Sequence, residues 1–108
     1  MSSFKIINPY TLEWFDTIPY ESNKTYLKKL NSLNKNFYTW KQCSINERKD
    51  IIIQLSRFLT THKNTLATLI STDMGKPIRE SISEIEKSIA CCDYYIDSIP
   101  SIEQHLIK

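Results

Sequence analysis

Gly75 is the only glycine in 108 residues, and no other feature narrows the possible folds so far. Loops that cradle nucleotide phosphates need several glycines, because the backbone must turn through positive φ and approach phosphate closely. With a single glycine, neither a dinucleotide fingerprint nor a nucleoside-triphosphate loop can be assembled. The length allows one small domain with one core. Hydrophobic residues make up 41% and charged residues 24%, the balance of ordinary folded protein rather than a disordered tail. Fourteen basic and twelve acidic residues leave a formal charge of +2. That is too even to argue for nucleic acid or for an acidic membrane as partner, and the scattered lysines read as a solvated face.

No apolar run approaches the roughly 20 residues of a membrane span, and the first residues lack the apolar core of a secretory signal. A cytoplasmic protein is expected. Cys43, Cys91 and Cys92 agree with that, being an odd set with two adjacent members rather than a disulfide framework.

The start of the chain is extended. Phe4 to Ile7 and Leu12 to Ile18 are β-prone runs. They flank Asn8-Pro9-Tyr10-Thr11, a turn in which proline fixes φ and asparagine bonds its own backbone. A hairpin over about residues 4–18 is predicted, with Pro19 stopping its second strand. Helices follow at about 23–40, 44–61, 64–74 and 77–98. In the first, Tyr26, Leu30, Leu33, Phe37 and Trp40 recur at steps of four and three and share a face. Ser44 and Glu47 open the second as a capping box, and its apolar stripe is Ile51, Ile52, Leu55, Phe58 and Leu59. Leu66, Leu69, Ile70 and Met74 mark the third, which Gly75 ends in the left-handed region. Pro77 opens the fourth, where a missing N–H costs nothing. Ile78, Ile82, Ile85, Ile89, Cys92, Ile96 and Ile99 form its stripe, and Pro100 is expected to end it. Three heptads of β-branched residues read as a buried helix rather than a coiled-coil seam. The first and fourth stripes are expected to bury part of each other.

Candidate chemistry is sparse. A reactive cysteine needs a lowered pKa in an exposed, electropositive setting. Cys92 lies on an apolar stripe and reads as a small buried hydrophobe. Cys43 precedes a helix N-terminus, whose dipole favours thiolate; no histidine base is near it in sequence, and it stands as a redox candidate that a base brought close in space would activate. His62 and His105 belong to no metal-ligand spacing. Glu80 and Glu84 are one turn apart, with Glu86 nearby. Paired carboxylates do acid–base work only in a cleft that shifts their pKa values, and a first-turn glutamate favoured by the dipole accounts for Glu80. No catalytic, cofactor-binding or metal-ligating residue is therefore assigned.

The order of these pieces carries a resemblance. Ile7-Asn8-Pro9-x-Thr11 resembles the Asn-Pro-x-Thr-Gly-Glu opening of aldehyde dehydrogenases. Phe37-Tyr38-Thr39-Trp40 followed by Glu47-Arg48 is similar to their Phe-x-x-Trp…Glu-Arg stretch. Leu69-Ile70-Ser71-Thr72-Asp73-Met74-Gly75-Lys76-Pro77 looks like their Leu-Ile-x-x-Glu-x-Gly-Lys-Pro signature. The segment from Glu84 through Cys92-Asp93-Tyr94-Tyr95 looks like the helix after it, closest to the succinate-semialdehyde branch. One departure stands in the hairpin: the family has glycine after Thr11, where this chain has Leu12. A leucine there is strained if the turn needs positive φ, which puts the hairpin register in question.

The resemblance implies a mainly α fold with a short N-terminal hairpin, an incomplete part of the α/β, Rossmann-like cofactor-binding domain of that family, over residues 1–108. The family oxidises aldehydes to acids with NAD or NADP, through a thiohemiacetal and a hydride transfer. Its cofactor loop, nucleophilic cysteine and general-base glutamate come later than this segment, and Cys43, Cys91 and Cys92 match none of them. The resemblance therefore implies a truncated fragment, inactive alone and binding no NAD(P) alone. The alternatives are half of a split enzyme completed by a separate chain, and a free-standing helical interaction module. Expected partners are the remainder of an aldehyde dehydrogenase and, through uncovered apolar surface, other copies of the chain; neither nucleic acid nor membrane is expected.

Overall fold

The computed structural model describes residues 2–106, with side chains over residues 2–99. Two strands, β1 (Ser3–Ile7) and β2 (Trp14–Pro19), form an antiparallel hairpin. Phe4 pairs with Ile18 and Ile6 with Asp16, but Ile7 pairs with Trp14. The skipped residue, Phe15, makes a bulge next to the turn, where one strand holds two residues against one. Pro19 lies inside β2 as its last paired residue rather than beyond it; a strand end is one place where a missing N–H is tolerated.

The turn is built by Asn8. Its Oδ1 accepts from the Tyr10 N–H at 2.9 Å and the Thr11 N–H at 3.3 Å, and its carbonyl accepts from the Leu12 N–H at 2.8 Å. Leu12 has a φ of 63°. The family's glycine position thus does require positive φ, and leucine occupies it at a typical cost of about 1–2 kcal/mol. The bulge at Phe15 and the left-handed Leu12 together set the register.

Helix α1 (Asn23–Trp40) starts where the Ser22 hydroxyl accepts from the Thr25 N–H. Helix α2 (Ile45–Thr61) has the full capping box: the Ser44 hydroxyl accepts from the Glu47 N–H, and the Glu47 carboxylate accepts from the Ser44 N–H at 2.7 Å. His62 joins it to α3 (Lys63–Met74), which ends at Gly75 with φ 67°. The Pro77 carbonyl accepts from the Glu80 and Ser81 N–H groups at the start of α4 (Ile78–Leu106). Pro100 does not end this helix. It removes the one N–H that would reach the Ile96 carbonyl and costs a helix interior about 3 kcal/mol. The residues after it, Ser101-Ile102-Glu103-Gln104, contain no second breaker, and the winding continues.

Helix α4 packs against α2 and α3. Ile85 and Ser81 on α4, Ala67 on α3 and Ser56 on α2 are the buried residues among those described. Two interhelical hydroxyl bonds run through this seam. Ser56 donates to Asp93 at 2.9 Å, and the Ser71 and Ser81 hydroxyls lie 2.8 Å apart. The expected stripe of α2 is therefore only half right. Ile52 and Leu59 are partly covered beside Ser56, whereas Ile51, Leu55 and Phe58 point away and stay exposed. A serine at the centre of a contact face carries no apolar signal, so the periodicity was drawn to the wrong edge.

The largest correction concerns α1. It does not share its stripe with α4, because α2 and α3 already occupy α4's apolar side. No residue of α1 is buried, and Tyr26, Leu30, Leu33, Phe37 and Trp40 are between 43% and 67% exposed. The molecule is accordingly drawn out. Its radius of gyration is 18.8 Å, against about 13 Å for a compact domain of this length. Its accessible surface is 9103 Å², where a monomer of 12.7 kDa normally shows about 6,200 Å².

Candidate functional site

The hairpin turn and the corner between α3 and α4 meet, although they lie far apart in sequence. Gly75 makes this contact possible. A Cβ built on it would stand 3.1 Å from the Tyr10 nitrogen and 3.2 Å from the Pro9 Cβ. Real Cβ atoms seldom approach that closely, and the left-handed φ disfavours a side chain independently. One glycine thus serves two needs, capping α3 and admitting the turn. An open cleft of about 600 Å³ forms at the junction, lined by Asn8, Tyr10, Ser71, Thr72 and Lys76 among others. The Lys76 ammonium is paired with Glu84. The cleft offers hydroxyls, one amide and a paired cation, but no nucleophile set against a base.

This geometry tests whether the residues present fit a dinucleotide cofactor. A phosphate cradle needs open backbone N–H groups at glycines. The sole glycine is filled on its Cβ side by Pro9 and Tyr10, and its own N–H bonds to the Ser71 carbonyl at 2.9 Å. Gly75 therefore offers no open phosphate cradle, and no step of a redox reaction is derived from the described residues.

The sequence candidates scatter. Cys91 is exposed on α4, while Cys92 is half-buried at an apolar groove between α2 and α4, bordered by Ile52, Ile96 and Ile99. Desolvation holds the Cys92 thiol above its ordinary range, with Cys91 and Asp93 adding repulsion; that is the reverse of what a nucleophile needs. The Cys43 thiol points back to the Thr39 carbonyl at 3.6 Å. His62 stacks on Phe58 with ring centres 4.2 Å apart and bonds the Phe58 carbonyl through Nδ1. The side chain of His105 lies outside the described residues. Glu84 pairs with Lys76, and Glu86 with Lys63 at 2.8 Å. Among the described residues no group of three or more His, Cys, Asp or Glu is arranged to hold a metal, and no helix is long and apolar enough to cross a membrane.

Arg48 is the residue that sequence reasoning undervalued. Its guanidinium lies 5.3 Å from the centre of the Trp40 ring, and Nη2 donates to the Trp40 and Lys41 carbonyls at 3.2 Å. It ties the end of α1 to the start of α2 by closing the orphan carbonyls of a helix C-terminus. The eight-residue spacing of Trp40 and Arg48 across a helix break was the only available signal. Glu47, its neighbour, is held below the ordinary carboxylate range by the Ser44 N–H and then by the Ser44 hydroxyl. Arg48 is thus a joint between the two helices, and Glu47 a cap of the second.

Comparison with known proteins follows the same lines. The model of the aldehyde dehydrogenase family matches residues 1–108. A succinate semialdehyde dehydrogenase (NAD(P)+) of Escherichia coli strain K12 is 27% identical over 96 residues, covering 89% of this chain and 21% of that protein. A lactaldehyde dehydrogenase of Methanocaldococcus jannaschii is 31% identical over 84 residues, covering 78% of this chain and 18% of that protein. Among solved structures, the glyceraldehyde-3-phosphate dehydrogenase GapN of M. jannaschii, complexed with NADP, superposes with a TM-score of 0.81 at 27% identity. That match covers 89% of this chain and 21% of the other. The chain spans about a fifth of the length of these relatives.

Proposed function

The chain belongs to the aldehyde dehydrogenase family, and from that premise we propose that it is the N-terminal part of an NAD(P)-dependent aldehyde dehydrogenase of succinate-semialdehyde type, inactive until the remainder of the fold packs on it. The observation that carries this reading is the uncovered apolar side of α1, together with an accessible surface of 9103 Å², nearly half as much again as the roughly 6,200 Å² of a finished monomer of this mass. Surface of that kind is normally interface. The hairpin, held against Gly75, and the joint at Arg48 set where α1 leaves the bundle, so the segment offers the missing part a shaped face. Succinate semialdehyde is favoured as substrate by the relatives that bear its name. Three cysteines without a disulfide suit a reducing, cytoplasmic setting.

The test uses the purified chain with succinate semialdehyde and either NAD or NADP. No nucleotide reduction is expected, and no binding tighter than about millimolar, near −4 kcal/mol. Co-expression with the E. coli relative lacking its matched segment should give a soluble complex that reduces nucleotide. Turnover by the chain alone, or failure of the two parts to associate, would overturn the proposal.

A further inference from the structure

The seam between α2 and α4 does not close along its whole length. Toward the start of α2 and the end of α4 it opens into a groove of about 420 Å³, within the roughly 300–1,000 Å³ of small-molecule pockets. Ile45 and Ile52 of α2 line it together with Ile96 and Ile99 of α4. These residues recur at helical steps on both elements, so each helix turns an apolar side to the gap. Two cations, Arg48 and Lys49, join the lining, and no carboxylate does. Long basic side chains lay their carbon stems along apolar surface and keep the charged end at its edge. Neither cation has an ion pair among the described residues. Arg48 is incomplete in a second respect. Its Nη2 is taken by the Trp40 and Lys41 carbonyls, but its Nε is buried with no hydrogen-bond partner among the described residues. A buried N–H without an acceptor is uncommon in folded proteins and costly to leave unmade.

We propose that this groove binds an amphiphilic monocarboxylate, with its alkyl chain between α2 and α4 and its carboxylate against Arg48 and Lys49. Three observations select that ligand together. The isoleucine walls favour an apolar chain, whose burial drives binding. The two unpaired cations favour an anion, and a carboxylate accepts more strongly from charged donors than a neutral group does. The orphan Nε is a donor whose acceptor is missing, so a carboxylate that reaches it adds a hydrogen bond without displacing one within the chain. The groove shares no lining residue with the cleft at Gly75. It uses only α2 and α4, so its occupancy does not depend on the function proposed above.

The probe is decanoate, titrated below its micelle concentration into the purified chain and followed by calorimetry and amide chemical shifts. One saturable site is expected, with the largest shifts at the lining residues of α2 and α4. Decanol keeps the chain and lacks the charge, and should bind at least tenfold more weakly. Lys49→Glu should weaken decanoate by a similar factor, with circular dichroism verifying that the bundle stays folded. Arg48→Lys keeps the charge but removes Nε, and should weaken decanoate while leaving decanol unchanged. If that variant loosens the joint with α1, Lys49→Glu and the decanol comparison still decide. Bound decanoate should also slow the labelling of Cys92, which lies in the groove wall. Equal affinity for decanoate and decanol overturns the proposal, as does decanoate binding that ignores Lys49→Glu. Shifts centred on α1 from Tyr26 to Trp40 mean adsorption on exposed apolar surface and overturn it as well. So does the absence of saturable binding below the micelle concentration.

Discussion

Helices α1 and α4 are both amphipathic, both carry an apolar stripe at steps of four and three, and both follow a well-formed start. Yet α4 holds Ile85 and Ser81 buried against two other helices, while α1 buries nothing. The difference lies in what surrounds each stripe. The stripe of α4 meets Ala67, Ser71 and Ser56, small residues that let helices approach, and hydroxyl bonds to Ser81 and Asp93 fix the contact. The stripe of α1 is aromatic and bulky, on a helix with no acid, and among the described residues α1 makes no extensive contact with another element. Most helical stability in proteins comes from tertiary packing of an amphipathic face, so α2, α3 and α4 make a folded bundle and α1 an arm waiting for a surface.

Substitution at the stripes separates the halves most sharply. Ile85→Ala should cost about 2–4 kcal/mol, the range for deleting a buried branched side chain. Leu33→Ala on α1 should stay within about 0.5 kcal/mol in the isolated chain. Urea unfolding of both variants measures this, and equal losses would erase the distinction. Next come the two left-handed residues. Gly75→Val adds a Cβ beside Pro9 and Tyr10 and forces a branched residue to φ 67°, so a loss of at least about 1–2 kcal/mol is expected. Leu12→Gly relieves the same kind of strain in the hairpin and should leave stability level or raise it by under about 1 kcal/mol.

The cap of α2 gives a smaller effect with a pH signature. Ser44→Ala should cost about 1 kcal/mol at neutral pH. Because Glu47 is held below the ordinary carboxylate range in the folded chain, its contribution is present above that range and is lost as pH falls through the folded value. The variant keeps the Ser44 N–H, the larger cause, so only the hydroxyl's smaller share of the acid limb should be lost, whereas Glu47→Gln should lose all of it; a Glu47→Gln limb identical to the parent's would rule out the cap as its source. Smallest is a difference in thiol reactivity. Cys91 is exposed, while desolvation raises the Cys92 thiol, so a thiol reagent should label Cys91 first; prior labelling of Cys92 would contradict the packing described.

Much of the bundle could be read from residue order. The Ser-x-x-Glu box, the lone glycine after Met74 and the isoleucine repeat each act within a turn or two of sequence, and each is found in place. What failed needed information from outside the segment. Ser56 sits at the centre of a helix contact because Asp93 waits opposite, and no local pattern shows that pairing. The expected pairing of the α1 and α4 stripes assumed the chain must satisfy itself. Pro100 reads as a stop in the sequence, whereas α4 continues past it to Leu106, because a helix interior can absorb one lost hydrogen bond. The meeting of Asn8-Pro9-Tyr10 with Gly75 was visible only as two motifs of one family, not as a contact.

The central claim is that the chain comprises a stable α2–α3–α4 bundle, with the hairpin turn held against Gly75, and an uncovered helix α1. Amide hydrogen exchange of the purified chain at neutral pH tests it most directly. Amides of α2 and α4 around Ser56 and Ile85 should be protected by at least two orders of magnitude more than those of α1 from Tyr26 to Trp40, and the α1 amides should slow when the complex with the truncated relative forms. Protection of α1 equal to that of α4 in the isolated chain would contradict the account.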